Sequence, residues 1–406
     1  MFNTNEFFES GKLSTILDAS AGSSGKGVIG SFVTEHADNW QFCVNTFYPQ
    51  AGHWVKLDDG REFFYQTFNS CAYQDKYEKM YLSPGCIVEL PALWKEMEEN
   101  NIDPKRIGIH PLVAILQDKD AAFERGEVDL EGNPMRSDGT MKHGSTCHGV
   151  GAAKTRRVLR RQDAILAKDV PELKEFLCDT SEEIIDRLNS GQSGLMEVAQ
   201  GFQLSLLGQF YPYCTSRNCT VGAGFDDSML PLKYAGNVLL NMRTYPIRIS
   251  NYKYIDEEGN HLTWDEVQQY DKEGKNYEKY EGSSGPGYED QEEISWEELT
   301  DKSGSDELIM EITSVTKLPR RVFTFSQQNL RQAIRYNDTG NKMFLSVNFA
   351  NYVDSELGGV RGGWDLITKK MDEWLDQNGL FEICDETGAV LRYIGTGPLT
   401  DDKIIL

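Results

Sequence analysis

The sequence predicts an α/β fold, with a large central, mostly parallel β-sheet flanked by helices. Three observations predict it: a strand–loop–helix–strand unit near the start, short apolar runs recurring towards the end, and amphipathic helical stretches between them.

Leu13 to Ala19 is a short β-branched and apolar run and reads as a strand. A glycine-serine loop follows, then helical spacing from Val28 to His36, then a second apolar run from Phe42 to Phe47. Such a unit implies a parallel strand pair joined by a crossover helix. Leu90 to Asn100 has the spacing of an amphipathic helix, and the region from Val158 to Leu188, rich in Leu, Asp and Arg, is expected to be helical. Leu195 to Val198, Leu308 to Thr313, Val322 to Phe325, Met343 to Phe349 and Val390 to Ile394 read as buried strands. The stretch 255–305 is acidic, polar and rich in Gly and Ser, with Trp264 and Trp296 as its main apolar anchors; a mobile loop region and a surface subdomain both fit. With no internal repeat and no clean boundary, 1–406 is expected to be a single elaborated domain.

A chain of 406 residues with 39% hydrophobic and 11% aromatic content can bury a sizeable core. It has no apolar run of about 18 residues and no basic-then-apolar N-terminus, so a soluble, cytoplasmic protein without membrane contact is expected. Cys43, Cys71, Cys86, Cys147, Cys178, Cys214, Cys219 and Cys384 form no CxxC pair and read as reduced thiols. A formal net charge of −23 argues against a partner such as polymeric DNA or RNA, which demands a basic face. Two local basic clusters stand out, Lys154-Thr155-Arg156-Arg157 with Arg160-Arg161, and Lys317 with Arg320-Arg321. Each is either a phosphate site or a solvated face.

Between the first strand and the first helix, Gly22-Ser23-Ser24-Gly25-Lys26-Gly27 offers backbone N–H groups, small side chains and one lysine at a helix N-terminus. That combination cradles phosphate. It is not a Walker A loop, which would need Gly at Ser20 and Ser or Thr at Gly27.

These residues resemble the phosphate loop Gly-Asp-Glu-Gly-Lys-Gly of the adenylosuccinate synthetase family, and the resemblance recurs in order along the chain. Gln50-Ala51-Gly52-His53 is similar to the family's Asn-Ala-Gly-His. Gly144-Ser145-Thr146-Cys147-His148-Gly149-Val150-Gly151, Glu197-Val198-Ala199-Gln200-Gly201 and Tyr211-Pro212-Tyr213-Cys214-Thr215-Ser216-Arg217-Asn218 resemble its next motifs. Thr316-Lys317-Leu318-Pro319 and Gly395-Thr396-Gly397-Pro398 complete the series. The resemblance implies a P-loop-like family fold, a homodimer in which Arg160 reaches the partner's site, and a ligase that phosphorylates C6 of a purine monophosphate before aspartate displaces the phosphate.

Three departures shape the expected substrate. Ser23 replaces the family aspartate that takes the N1 proton of inosine monophosphate and helps hold Mg²⁺. A serine is a poor base and a poor divalent-ion ligand, but it leaves room for a 2-amino group and can accept its hydrogen bond. The same loss marks the bacteriophage branch of the family, which acts on dGMP. Pro319 replaces an aspartate that reads guanine, so ATP or dATP is the expected donor rather than GTP. Around Gly282 to Gln291 the arginines that grip aspartate in the family are missing, leaving a Gly-Ser loop to meet the carboxylate through N–H groups and hydroxyls.

Carried over position by position, the resemblance implies catalytic roles for Ser23, Lys26 and His53. It implies ATP binding at Ser24, Gly25, Lys26, Gly27, Gly52, His53, Lys317, Gly397 and Pro398, with the Gly52 carbonyl as a Mg²⁺ ligand. dGMP falls to Ser23, Gln50, Ala51, Ser145, Thr146, Arg160, Gln200 and Thr215, and L-aspartate to Ser283, Ser284 and Gly285. An ordinary adenylosuccinate synthetase acting on IMP and a non-catalytic nucleotide-binding relative are the alternatives.

Overall fold

A computed structural model describes residues 3–134, 147–313 and 317–406. Ser145, Thr146 and Thr316 lie outside them.

The apolar run near the start forms β1 (Leu13–Asp18), buried along its whole length, and the helical spacing forms α1 (Lys26–Glu35). β2 (Phe42–Asn45) follows as expected. Among the described residues these strands belong to a 10-stranded sheet. From one edge its order is Gly362–Gly363, Lys403–Ile405, Val390–Gly395, Met343–Asn348, Ala235–Arg243, β1, Gly194–Glu197, β2, Lys79–Leu82 and Ile107–Ile109. The pairings are parallel except that Lys403–Ile405 runs antiparallel to Val390–Gly395.

Side-chain alternation builds two apolar layers. Leu13, Leu17, Met196, Val198, Val238, Leu240, Leu345 and Val347 face one layer, while Ile16, Leu195, Leu239 and Phe344 face the other with Ile29 and Phe32 of α1. Continuous apolar runs of this kind are what a parallel sheet covered on both faces requires. The chain leaves β1 towards β2, whereas its strands from Ala235 onward add on the opposite side of β1. The loop after β1 therefore lies at a switch in strand order, where open α/β sheets place their ligands.

Two sequence expectations are corrected. Val158 to Leu188 is not one helical region: a helix at Val150–Val158 stops as Arg160 takes a φ of 52°, and short 3₁₀ turns precede a helix at Thr180–Asn189. Pro171 sits within that break, where it removes a backbone donor. Leu308 to Thr313 is not a buried strand either; its one ladder contact is the bridge Ile312–Pro319, and Leu308 is exposed. An apolar run without pairing partners cannot satisfy its backbone as a strand. The stretch 255–305 carries the helices Trp264–Glu273 and Trp296–Ser303 and a hairpin strand, Glu278–Glu281, paired with Tyr252–Ile255. Tyr254, Leu262, Val267 and Leu318 form a small apolar cluster of their own.

A buried arginine ties this scaffold to the region that follows Gly201. Arg217 bonds the Asp227 carboxylate at 2.5 Å and the Thr46 carbonyl, and lies over the Tyr48 ring at 4.8 Å. Replacing Arg217 by Leu should lower unfolding stability by about 3 kcal/mol in urea titration, because it strands Asp227 without its counter-charge; an unchanged midpoint would contradict this.

Candidate active site

Within the glycine loop, Gly22, Ser23 and Gly25 all take positive φ, at 91°, 53° and 86°. Successive residues in this conformation turn their N–H groups to one side as an anion-binding concavity. Three side chains from the neighbouring strands hold the loop in that shape from below. Asn241 donates to the Ser24 carbonyl and hydroxyl, both at 2.9 Å, Asn348 donates to the same carbonyl at 2.8 Å, and Arg243 donates to the Ser23 carbonyl at 2.7 Å. The carbonyls are thus consumed by the protein. Gly25 caps α1 without any side-chain bond, which leaves the helix N-terminus to a ligand. Ser23 is exposed at the loop tip and Ser24 is buried.

At Gly27 a Cβ would collide with the Trp54 carbonyl oxygen, which explains why the Walker serine or threonine is absent. That contact brings β3 (His53–Lys56), paired with β4 (Glu62–Tyr65), against α1. Lys26, the first residue of α1, is buried; its ammonium bonds the Gln200 carbonyl and lies 3.8 Å from Asp18 Oδ2. Asp18 Oδ1 accepts from the Ser20 N–H and hydroxyl, while Oδ2 is buried without a hydrogen-bond partner. Sequence reasoning missed Asp18. Its signal was a carboxylate ending an otherwise buried strand directly before the loop.

His53 stacks on Phe47, with ring centroids 4.3 Å apart and planes 3° from parallel, and its Nδ1 lies 4.0 Å from Glu197 Oε2. Burial, and after it the nearby Lys26 ammonium, holds the imidazole down to about 3. Burial also pushes Glu197 up to about 7, against the Ser70 hydrogen bonds and Lys26 that favour its charge. The imidazole is therefore neutral at physiological pH, and its approach to Glu197 is not an ion pair. Glu197 stood within a quoted motif but without a role; the fold assigns it a place beside the histidine.

Gln50 and Gln200 bear the marks of a polar ligand site. Gln50 donates to the Thr215 hydroxyl at 3.3 Å, while its Oε1 and both amide atoms of Gln200 are buried without partners. Native interiors rarely leave such atoms unpaired, so they point to a polar ligand. Gln200 takes a φ of 61°, and Gly201 packs against Ser20 and Gly22 so closely that no Cβ would fit. Ala51 and Gly52 make the turn into β3, with Gly52 against the Phe64 ring. Gly397 packs on Asp402, and Thr400 bonds the Lys56 carbonyl, which docks the Gly397-Pro398 turn beside β3.

Other expected residues are less enclosed. Lys317 is exposed with a φ of 52°, and its carbonyl receives the Trp264 N–H at 2.9 Å. Arg160 is exposed beside exposed Val158 and Leu159, and its guanidinium has no hydrogen bond or ion pair among the described residues. In the Ser283-Ser284-Gly285 loop three of the expected donors are already used: the Ser284 N–H goes to Asn251 at 2.7 Å, its hydroxyl to the Ile249 carbonyl at 2.8 Å, and the Gly285 N–H to Ser283 Oγ at 3.1 Å. Among the described residues no group of three or more His, Cys, Asp or Glu could hold a metal, and no helix is long and apolar enough to cross a membrane.

Comparison with known proteins places the chain in a family. A family model described as adenylosuccinate synthetase matches residues 163–346. The N6-succino-2-amino-2'-deoxyadenylate synthase of Acinetobacter phage SH-Ab 15497 is 30% identical over 415 aligned positions, covering 95% of this chain and 91% of that one. The chain belongs to the adenylosuccinate synthetase family. The Vibrio phage phiVC8 enzyme of the same name is 28% identical, covering 95% of this chain and 96% of its own. Among solved structures, a family member from cyanophage S-2L, a succinoaminodeoxyadenylate synthetase bound to dGMP and dATP as an energy donor, is similar with a TM-score of 0.71. It is 26% identical and covers 96% of this chain and 94% of its own. The fully ligated adenylosuccinate synthetase of Plasmodium falciparum, 15% identical, shares the fold at a TM-score of 0.67, covering 97% and 99%.

The neutral histidine and the raised glutamate make opposite demands on stability. Glu197 binds its proton more tightly folded than unfolded, so its contribution is full below about 4.5 and is lost as pH rises through about 7; His53, depressed, opposes this as pH falls below about 6.5. Glu197→Gln removes only the first. Relative to the unsubstituted protein it should gain about 1–3 kcal/mol between pH 5 and pH 8 in urea unfolding, whereas a pH-independent difference would refute the buried acid.

Proposed function

We propose that this family member is a ligase that joins L-aspartate to C6 of dGMP, driven by ATP or dATP hydrolysis, to give N6-succino-2-amino-2'-deoxyadenylate. The observation that carries this reading is Ser23 at the exposed tip of a phosphate loop that keeps Gly22, Gly25, Lys26 and Gly27. An acid there would crowd a 2-amino group; a hydroxyl accepts its hydrogen bond. The phage relatives named for this product, and the cyanophage neighbour bound to dGMP and dATP, support the choice over IMP.

The nucleotide triphosphate lies along the loop N–H groups, with Lys26 exchanging its Gln200 and Asp18 contacts for phosphate oxygens. Lys317, Gly397 and Pro398 border the donor. The dGMP base meets the unpaired Gln50 Oε1 and the unpaired amide of Gln200, and its 5'-phosphate meets Thr146 and Thr215 together with Arg160 from a second copy. Exposed Val158 and Leu159 beside Arg160 supply apolar surface for such a homodimer. The purine C6 oxygen attacks the γ-phosphorus as the N1 proton passes to water, and nucleoside diphosphate leaves. The His53 N–H, neutral and held by Phe47, donates to the oxygen bridging C6 and phosphorus. The aspartate amine then adds at C6, and phosphate departs carrying the former C6 oxygen.

A Mg²⁺ ion fits the donors present, since the Gly52 carbonyl and the phosphate oxygens are hard ligands, as is the unpartnered Asp18 Oδ2. When bound, it neutralises charge on the transferring phosphoryl group. A cytoplasmic location accords with free nucleotide substrates.

Phosphate release with dGMP, GMP or IMP, each with ATP, dATP or GTP and aspartate, tests the proposal; turnover confined to IMP would overturn it. His53→Ala should reduce kcat by about 100-fold or more while dGMP still raises the melting temperature. Ser23→Asp should shift the kcat/KM preference from dGMP towards IMP. Aspartate tolerates positive φ, so that variant reads recognition rather than folding; an unchanged preference would refute the C2-space argument.

A further inference from the structure

The Ser283–Gly285 loop lacks arginines of its own, yet two come to it from other elements. Ile247–Arg248 and Arg321–Phe323 are antiparallel neighbours, and Arg248 stands directly opposite Arg321. Like charges in that register repel, so the pair needs compensation. Arg321 has it in a two-pronged contact with Glu293, at 2.8 and 2.5 Å. Arg248 has none. It is buried, and its guanidinium donates to the carbonyls of Ser284 at 2.8 Å, Tyr213 at 3.0 Å and Pro286 at 3.3 Å, over the Phe210 ring, with no carboxylate partner among the described residues. Its other titratable neighbours, Cys214 and Tyr288, are both held neutral by burial.

Two further facts point to an anion here. Of the loop donors expected to meet a carboxylate, the Ser284 N–H and hydroxyl and the Gly285 N–H are taken by Asn251, Ile249 and Ser283. Arg321, besides Glu293, bonds the Ser284 hydroxyl at 3.0 Å and the Gly285 carbonyl at 2.7 Å, fixing the loop against Arg248. A Cβ on Gly285, at a φ of 94°, would meet Tyr213 at 2.6 Å and Arg248 Nη2 at 2.9 Å, so the loop, the guanidinium and the segment leading to Thr215 form one contact.

We propose that Arg248 is the counter-charge for a carboxylate of the amino-acid co-substrate, with Arg321 as the positioning residue that holds the Ser284–Pro286 turn against it. The inference rests on the ligase reading above. It supplies from two strands the charge that the resemblance to the wider family leads one to expect within the loop.

The test measures KM for aspartate, dGMP and the triphosphate in the full-length protein, Arg248→Gln and Arg248→Lys, with melting temperature as the folding control. Arg248→Gln should raise the aspartate KM by at least about 30-fold while both nucleotide KM values stay within about threefold. Arg248→Lys, which keeps charge but loses the planar fork, should recover part of that loss. If Arg248→Gln does not fold, Arg248→Lys carries the test with an aspartate KM raised about tenfold. An aspartate KM within twofold of the unsubstituted value in a folded variant would overturn the inference, as would equal rises for all three substrates. Absence of aspartate-dependent turnover in the unsubstituted protein would sink the ligase reading instead, so the two failures are distinguishable.

Discussion

The grip of Asn241, Arg243 and Asn348 on the carbonyls of Ser23 and Ser24 is the constraint on which the site depends. A peptide loop can aim its N–H groups at phosphate only if its carbonyls have acceptor duties elsewhere. Here those duties are met by side chains ending two neighbouring parallel strands, and Asn348 also donates to Asn241 Oδ1 at 2.6 Å. Arg243 extends the chain of contacts, because it also bonds Glu311 and lies 3.7 Å from the Phe349 ring centroid. The loop's shape is thereby coupled to the segment leading to Lys317. The sheet is the instrument: its strand-order switch leaves a crevice after β1, and its parallel register sets Arg243 beside Asn348, with Asn241 two positions before them.

Charge within the crevice is sparse and deliberate. One ammonium, Lys26, lies among Asp18, Glu197 and His53, and burial keeps the imidazole uncharged and the Glu197 proton tightly held. A neutral imidazole is suited to donating to an oxygen on which negative charge develops, since it needs no counter-ion of its own. The unpaired Gln50 Oε1 and Gln200 amide are the complementary feature: polar atoms kept dry and unspent where a purine edge would satisfy them. At the exposed loop tip the family's acid is absent, and Ser23 leaves both space and a hydroxyl.

Much of this was legible in the sequence because it is local or ordered. The β1–loop–α1 unit follows from apolar spacing around a glycine cluster, and the motif order located the loop, His53, Gln200 and Thr215. What escaped was long-range. Arg248 and Arg321 are separated by more than seventy positions and meet only through strand pairing, so a search for arginines within the loop itself could not find them. Asp18 looked like a strand end until its carboxylate met Lys26 across the loop. The helical expectation for Val158 to Leu188 failed because composition carries no signal of a left-handed turn at Arg160, and the strand at Leu308 to Thr313 failed for want of a neighbour.

In the proposed reaction the loop, Lys26 and His53 make the C6 oxygen of the purine a leaving group. Turnover of dGMP carrying ¹⁸O at C6, with aspartate and ATP, followed by mass analysis of the released phosphate, tests this directly. The account predicts one ¹⁸O atom in each phosphate formed. Phosphate free of label, alongside product formation, would contradict it.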